Sequence, residues 1–195
     1  FNKYYPGKKF LLLNYGYGST NILSVEERLT KTTQHFNRDF QAINEIPFDL
    51  ILIESFGNNP LSEFPLEQGL KKQTEALDKI TEILIKSHPK KSIVFVATIA
   101  PNKNKFGEGA VDLTPEARER WVEEREAYVN NHIQYAKSHN IPLIDVFSAS
   151  KDEVGIGKME YLSPRDYIHP SPAGINFISH EITKFIFDNK LLTSI

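Results

Sequence analysis

Residues Phe48–Gly57 read FDLILIESFG, and this stretch decides the fold. Its centre, Leu50–Ile53, is a continuous aliphatic run of strand length that ends in Glu54 and, soon after, in a glycine. A strand with one face in water alternates apolar and polar residues, whereas a continuous apolar run is typical of a strand buried on both faces. The stretch therefore predicts an interior strand of a parallel sheet.

Three other runs share this pattern: KKFLLLNYG at 8–16, KSIVFVATIAP at 91–101 and IPLIDVFS at 141–148. Segments with apolar residues at helical spacing separate the four runs. Strands that alternate with helices and are buried on both faces predict an α/β protein, built as a three-layer α/β/α sandwich around a parallel sheet. No repeat, linker or low-complexity tract interrupts residues 1–195, so we expect a single domain.

Polar residues mark where the predicted helices begin. Ser24 and Glu27 have the spacing of a capping box. Thr114-Pro115 and Ser171-Pro172 each combine an N-cap residue with a proline in the first turn. The longest helical pattern runs from about residue 62 to residue 88, directly before a proline.

The composition excludes several classes of function. The formal net charge of -2 leaves no electrostatic footprint for nucleic acid, and the absence of cysteine excludes thiolate catalysis and disulfides. No apolar run approaches the roughly 20 residues that span a bilayer. We expect no metal site, because five of the histidines lack ligand-like spacing: His35, His88, His132, His139 and His180. The function predicted below needs no cofactor, and we expect none.

Three polar or glycine-rich turns follow the predicted strands. Asn14–Thr20 follows the first strand, Glu54–Pro60 follows the second, and Asp166–Pro170 follows the fourth after a loop. Ligand sites in open parallel sheets lie beyond the carboxyl ends of the strands, so we expect the three turns to meet at one rim. Each turn alone also fits a purely structural role, since glycine and asparagine are common turn residues.

Together the three turns resemble the signatures of the SGNH hydrolases, also called GDSL-type esterases and lipases. The D-x-x-H signature with a following proline matches Asp166–Pro170, and the G-x-N signature matches Gly57–Asn59. The family's glycine turn matches Asn14–Thr20, with Gly18 as the counterpart of its glycine. One departure is Pro60, which stands where the family usually has aspartate. The resemblance covers nearly the whole chain in the family's order and implies the flavodoxin-like fold of these hydrolases.

The resemblance also implies a role for each matched residue. His169 would be the general base that takes a proton from a serine hydroxyl and returns it to the leaving alcohol. Asp166 would orient the imidazole and stabilise the imidazolium. The backbone N–H of Gly18 and the side-chain amide of Asn59 would donate hydrogen bonds to the oxyanion, with Asn58 as the alternative if the loop register shifts by one.

The family's nucleophile signature, Gly-Asp-Ser, is absent from this sequence. The serines nearest the matched motifs fit turns, a strand end or a helix cap instead: Ser19, Ser55, Ser163 and Ser171. In the family the first strand lies inside the sheet, here between strands at Leu11–Leu13 and Leu50–Ile53. We therefore expect the chain to be N-terminally incomplete, with a further strand and the nucleophilic serine upstream of Phe1. A gap between those two strands would fit this expectation, and direct pairing would exclude it.

The predicted function is that of a serine esterase acting by acyl transfer on an ester of modest size. O-acetyl groups of carbohydrates are the favoured substrate, because the loops at 102–112 and 148–165 are polar and nearby aromatic residues suit sugar rings: Phe106, Tyr161 and Tyr167. These aromatic residues suit ordinary loop packing equally well. Related enzymes that act on envelope or plant polysaccharides are often exported, which favours an extracellular or cell-envelope location.

Two other functions are open at this point. The first is a non-catalytic relative of the same fold that binds an acylated glycan or serves as an interaction domain. The second is a flavodoxin-like nucleotide binder, which the sequence favours less. Gly16-Tyr-Gly18 lacks the third glycine of a dinucleotide fingerprint, and no P-loop is present.

Overall fold

The computed structural model describes residues 1–192. Its strands are β1 (Thr33–His35), β2 (Arg38–Phe40), β3 (Leu50–Glu54), β4 (Ser92–Ala97) and β5 (Leu143–Asp145). Its α-helices are α1 (Val25–Thr30), α2 (Leu66–Ser87), α3 (Pro115–Ser138), α4 (Val146–Ala149) and α5 (Pro172–Asp188). Short 3-10 turns lie at Ile22–Ser24, Ile43–Glu45 and Met159–Tyr161.

The central sheet contains β3, β4 and β5, all parallel, with β4 in the middle. Leu50 of β3 lies opposite Ser92 of β4, and Phe95 of β4 lies opposite Leu143 of β5. The remaining two strands, β1 and β2, form a separate antiparallel hairpin. The parallel sheet at 50–54, 92–97 and 143–145 confirms three of the four predicted strands.

Helices cover both faces of this sheet, as the alternation of apolar runs predicted. On one face Ile53 and Phe95 pack against α2 and α3, and we call this side the α2–α3 layer. On the other face Val94 and Val96 pack against α5, which forms the α5 layer. Successive residues of β4 thus enter opposite layers, as the pleat of a strand requires.

The predicted strand at 8–16 is wrong. This segment is neither strand nor helix, and the side chains of Leu11 and Leu12 are 84% and 74% exposed. Among the described residues β3 pairs with β4 alone, so the other edge of β3 carries no strand. A strand needs a neighbour for its backbone N–H and C=O groups, and this segment has none. The two strands expected to flank a gap are therefore not both formed, and they do not pair with each other.

The predicted helix starts at Thr114 and Ser171 are confirmed. The side chain of Thr114 accepts a hydrogen bond from Ala117 N at 3.2 Å, and that of Ser171 accepts one from Gly174 N at 3.1 Å. The predicted capping box at Ser24 is wrong, because the Ser24 hydroxyl donates to the backbone oxygen of Asn21 at 2.6 Å instead.

Candidate active site

The two residues predicted to form an acid–base pair, His169 and Asp166, are in contact in the loop that leads into α5. Nδ1 of His169 lies 2.8 Å from Oδ2 of Asp166. Because a carboxylate only accepts hydrogen bonds, Nδ1 carries the proton and Nε2 presents its lone pair. The His169 side chain is 74% exposed, so Nε2 is accessible to a hydroxyl group. The pair can therefore accept a proton from an incoming O–H group.

The other oxygen of Asp166 holds the backbone of the same loop. Oδ1 accepts hydrogen bonds from Ile168 N at 2.9 Å and from His169 N at 3.0 Å, while Tyr167 between them has a φ of 50°. Burial alone would raise the pKa of Asp166, but the hydrogen bonds from His169 and Ile168 outweigh it and lower that pKa. The carboxylate thus stays ionised beside the imidazole.

The loop at 102–112 packs against this turn and donates a hydrogen bond to it. Gly107 N donates to the backbone oxygen of Asp166 at 2.9 Å. Gly109 has a φ of 88°, and a Cβ at this position would lie 2.9 Å from the backbone oxygen of Arg165. Only glycine suits both the backbone conformation and the close approach. The polar loop singled out in the sequence therefore packs against the Asp166 turn.

The aromatic residues proposed as sugar platforms are packing residues. Phe106 is only 1% exposed and lies beneath the guanidinium of Arg125, 5.0 Å from ring centroid to Cζ. The ring of Tyr161 stacks on Phe177 of α5 at 4.5 Å. Tyr161 and Tyr167 are half-buried and pack in the α5 layer. For these aromatic residues the structure favours loop packing over a role as platforms for sugar rings.

The turn that contains Asn59 follows β3 directly. It begins at Phe56, which has a φ of 54°, and Asn59 N donates to the backbone oxygen of Phe56 at 2.9 Å. Asn59 is exposed and Asn58 is half-buried. At Gly57 a Cβ would lie 2.5 Å from a methyl group of Val129, so the strand end approaches α3 too closely for a side chain.

Glu54 caps this turn, a role that the sequence did not assign. Its carboxylate accepts hydrogen bonds from Phe56 N at 2.7 Å and from the Ser55 hydroxyl at 2.9 Å. The Ser55 hydroxyl oxygen in turn accepts from Thr98 N at 3.0 Å. This chain of bonds ties the carboxyl ends of β3 and β4 together. The available signal was an acidic residue at the end of an apolar strand.

The turn that contains Gly18 lies on the α1 side of the molecule. Gly18 is exposed, with no atom within 4 Å of an added Cβ, and Ser19 beside it has a φ of 59°. Arg28 of α1 donates to the backbone oxygen of Tyr15 at 3.0 Å and to the hydroxyl of Thr20 at 2.6 Å. Both ends of the turn are thereby held.

Arg28 also links this turn to the one that follows β3. Its Cζ lies 5.7 Å from the ring centroid of Phe56. The guanidinium of Arg28 therefore lies close to both the Gly18 turn and the Asn59 turn. His169 has no direct hydrogen bond to either turn among the described residues. The grouping of His169 with Gly18 and Asn59 stays a prediction.

No serine of residues 1–192 forms a hydrogen bond with the His169 ring. Three of the four serines considered above have other bonds: Ser55 to Glu54, Ser163 to the backbone N of Arg165, and Ser171 to the first turn of α5. Ser19 lies at the tip of its turn.

An apolar cavity of about 220 Å³ lies between α5 and β3. It reaches the carboxyl ends of β3 and β4, and its lining includes Leu52, Glu54, Val96, Val146, Ile178 and Ile182. The α5 layer therefore does not fully cover the face of β3 that carries Leu52, which is 38% exposed.

Residues 1–192 contain no group of three or more His, Cys, Asp or Glu side chains arranged to hold a metal ion. Over the same residues, no helix combines the length and apolar character needed to cross a membrane.

The protein is similar to known proteins in structure rather than in sequence. No protein-family profile and no curated protein matches the sequence. A Streptococcus pneumoniae protein provisionally named a platelet activating factor is 18% identical with a TM-score of 0.59, over 94% of this chain and 78% of its own. A Desulfitobacterium hafniense protein provisionally assigned to the G-D-S-L family of lipolytic proteins is 17% identical with a TM-score of 0.52, over 86% and 76%.

A third solved structure, the lipase/acylhydrolase from Enterococcus faecalis, is 20% identical with a TM-score of 0.51, over 76% of this chain and 66% of its own. At these identities the shared property is the fold. The parallel sheet, the two helical layers and these likenesses together confirm the predicted architecture: the chain has an SGNH, or GDSL-type, hydrolase-like fold.

Proposed function

We propose that this protein is a serine esterase that hydrolyses carboxylic esters by acyl transfer. The observation that carries the proposal is the 2.8 Å contact between Nδ1 of His169 and Oδ2 of Asp166, with the rest of the imidazole open to solvent. An aspartate-held, accessible imidazole is the acid–base unit of serine hydrolases. The fold shared with structures named lipase or acylhydrolase supports the same chemistry.

The reaction proceeds in two halves. In the first, Nε2 of His169 accepts the proton of a serine hydroxyl while the serine oxygen attacks the ester carbonyl carbon. The carbonyl electron pair moves to oxygen, and the N–H of Gly18 and the amide of Asn59 donate hydrogen bonds to that oxyanion. Collapse of the tetrahedral species breaks the bond to the alcohol, which takes the proton from Nε2.

In the second half a water molecule replaces the serine as the attacking group. Nε2 accepts a proton from that water, the acyl–serine bond breaks, and the serine oxygen recovers the proton. Asp166 stabilises the imidazolium that forms in each half. No metal and no cofactor has a part in this proposal.

The serine of the proposal lies upstream of Phe1, at the end of a strand that pairs with the open edge of β3. Two observations support this placement. The edge of β3 has no partner among residues 1–192, and the apolar cavity lined by Leu52 and Ile178 lies directly beside it. A parallel strand here would end at the same rim as β3, the rim that bears the Asn59 turn.

For the substrate we propose an ester with a polar alcohol part, such as the O-acetyl group of a carbohydrate. Support comes from the exposure of His169 and from the polar loop at 102–112 that braces the Asp166 turn. An open imidazole beside polar residues admits a large, hydrated alcohol group.

Hydrolysis of an aryl acetate by the protein with its upstream residues tests the reaction class. His169→Ala should lower kcat by at least about 10³-fold, because it removes the general base. His180→Ala, which changes an exposed histidine on α5, is the matched control and should keep the wild-type rate. Equal rates for wild type and His169→Ala would refute the mechanism.

Release of acetate from an acetylated polysaccharide tests the substrate class. We expect release by the wild type and none by His169→Ala. The alternative function, a non-catalytic domain that binds an acylated glycan, is favoured by the absence of a serine bonded to His169 in residues 1–192. It predicts retention on the acetylated polysaccharide without release of acetate, even when the upstream residues are present.

A further inference from the structure

Arg28 is a buried cation that has no acidic partner among residues 1–192. It is 3% exposed, and its hydrogen bonds go to the backbone oxygen of Tyr15 and to the hydroxyls of Thr20 and Ser24. Burial lowers the pKa of Arg28, although a guanidinium keeps its charge inside proteins. Burying a charge that no carboxylate neutralises is costly, and an apolar side chain would fill the same space without that cost.

The bonds of Arg28 converge on the turn that carries Gly18. One amino group reaches Tyr15, before the turn, and the other reaches Thr20, after it. The face of Tyr17 lies against the guanidinium, 4.3 Å from Cζ to the ring centroid. The Thr20 hydroxyl also donates to the backbone oxygen of Tyr17 at 2.6 Å. The residues on both sides of Gly18 are thus held by one side chain.

The guanidinium of Arg28 also lies near the other turn. The Phe56 ring centroid lies 5.7 Å from Cζ of Arg28, and Phe56 begins the turn that ends at Asn59. A planar guanidinium can donate in two directions while its faces contact aromatic rings, which the point charge of lysine cannot do. Arg28 therefore lies between the two segments that carry the proposed oxyanion donors.

We propose that Arg28 is a positioning residue of the active site, which fixes the Gly18 turn against the Asn59 turn and so sets the spacing of the two oxyanion donors. This inference rests on the proposed esterase function. Because the oxyanion forms only as the reaction proceeds, a change in donor spacing lowers kcat and leaves KM nearly unchanged.

The test uses Arg28→Lys and Thr20→Val in the protein with its upstream residues, assayed with an aryl acetate. Removal of one oxyanion donor lowers kcat by roughly 10²–10³-fold, and we expect about 10²-fold for Arg28→Lys. For Thr20→Val, which removes one acceptor of Arg28, we expect roughly a tenfold fall. KM should stay within about threefold of wild type in both variants.

The rate constant for inactivation by an aryl phosphonate provides a second measurement. In the molecules that are folded, this rate constant does not depend on the stability of the protein. The phosphonate oxygen occupies the position of the oxyanion, so its reaction rate with the serine should fall by the same factor as kcat. The concentration of active sites, titrated with the same phosphonate, corrects for any unfolded fraction.

Arg125→Lys is the matched control. Arg125 lies in α3 with its side chain 12% exposed, and its guanidinium lies over Phe106 and Trp121 rather than beside either turn. Its substitution should leave kcat and the inactivation rate near wild type.

The outcomes separate the two proposals. If His169→Ala abolishes hydrolysis while Arg28→Lys and Thr20→Val keep wild-type kcat, the role of Arg28 is refuted and the esterase stands. If His169→Ala keeps full activity, the esterase mechanism itself is refuted. Should Arg28→Lys fail to fold, Thr20→Val decides, because Thr20 is only half-buried and its loss removes little packing.

Discussion

The two helical layers on either side of the sheet differ in how completely they cover it. In the α2–α3 layer Leu77, Ile80 and Leu84 are fully buried against the sheet. In the α5 layer a cavity of about 220 Å³ remains beside β3, and Leu52 is 38% exposed. The loop with Asp166 and His169 leads into α5. The more complete layer thus holds the main apolar core, and the less complete layer carries the Asp166–His169 pair.

The largest effect is expected for Asp166→Asn, which should lower kcat and leave the stability of the protein nearly unchanged. In Asp166→Asn the side-chain oxygen can still accept from Ile168 N and His169 N, so the turn should keep its shape. The neutral amide no longer holds the imidazole in the correct tautomer, and kcat for an aryl acetate should fall by about 10⁴-fold. The melting temperature should stay within a few degrees. A fall in kcat of less than about tenfold would show that the pair is not catalytic.

The second effect concerns stability and lies in the α2–α3 layer. Ile53→Ala removes a side chain that is 6% exposed and packs in this layer, so the free energy of unfolding should fall by about 2–5 kcal/mol. Urea unfolding followed by circular dichroism measures this loss. A loss below about 1 kcal/mol would contradict the distinction between the layers.

The third effect is a pH dependence that arises in the same layer. His132 of α3 is fully buried and stacks on Phe95 at 4.4 Å, and its burial lowers the pKa of this histidine to about 3. Between the ordinary histidine pKa near 6.5 and this value, the unfolded chain binds a proton that the folded protein does not. Stability should therefore fall as the pH falls, by up to about 1.4 kcal/mol per pH unit.

The comparison of wild type with His132→Leu isolates this contribution, because the other titrating groups are common to both proteins. Urea unfolding at pH 7, 5.5 and 4 should show a steeper loss of stability for the wild type. Parallel curves for the two proteins would mean that His132 is protonated in the folded state as readily as in the unfolded chain.

The smallest effect lies at the open edge of β3. Leu52→Ala in the chain of residues 1–195 should cost less than about 1 kcal/mol, since much of this side chain is already in water. If an upstream strand covers the cavity, as we propose, the same substitution in the longer protein should cost about 2–5 kcal/mol. The same small cost in both proteins would count against the upstream strand.

Local patterns in the sequence predicted much of this architecture. The apolar runs of β3, β4 and β5 and the caps at Thr114 and Ser171 depend on neighbours within a few residues. The strand predicted at 8–16 failed because a strand also needs a partner that is distant in sequence. The capping box at Ser24 failed because the hydroxyl of that residue bonds to Asn21 and Arg28 instead.

In the candidate site, too, the contact predicted from the sequence is between nearby residues, and contacts between distant segments were missed. The match to the D-x-x-H signature implied that Asp166 and His169 pair, and the two side chains are in contact. The cap by Glu54 is a local contact, and an acidic residue at the end of an apolar strand was the available signal for it. The link through Arg28 was not predictable, because it depends on how two turns that are distant in sequence meet. The burial of Phe106 beneath Arg125 is likewise a contact between distant segments, and it removed an aromatic residue that the sequence suggested for sugar binding.

One edge of β3 pairs with no strand of residues 1–192, and we expect this edge to affect how the chain of residues 1–195 behaves in concentrated solution. An open strand edge beside apolar side chains is a template for strands of other molecules, and Leu11–Leu13 provides an exposed aliphatic run that could add to it. Self-association through this edge should therefore increase with protein concentration, and a lysine introduced at Leu52 should suppress it.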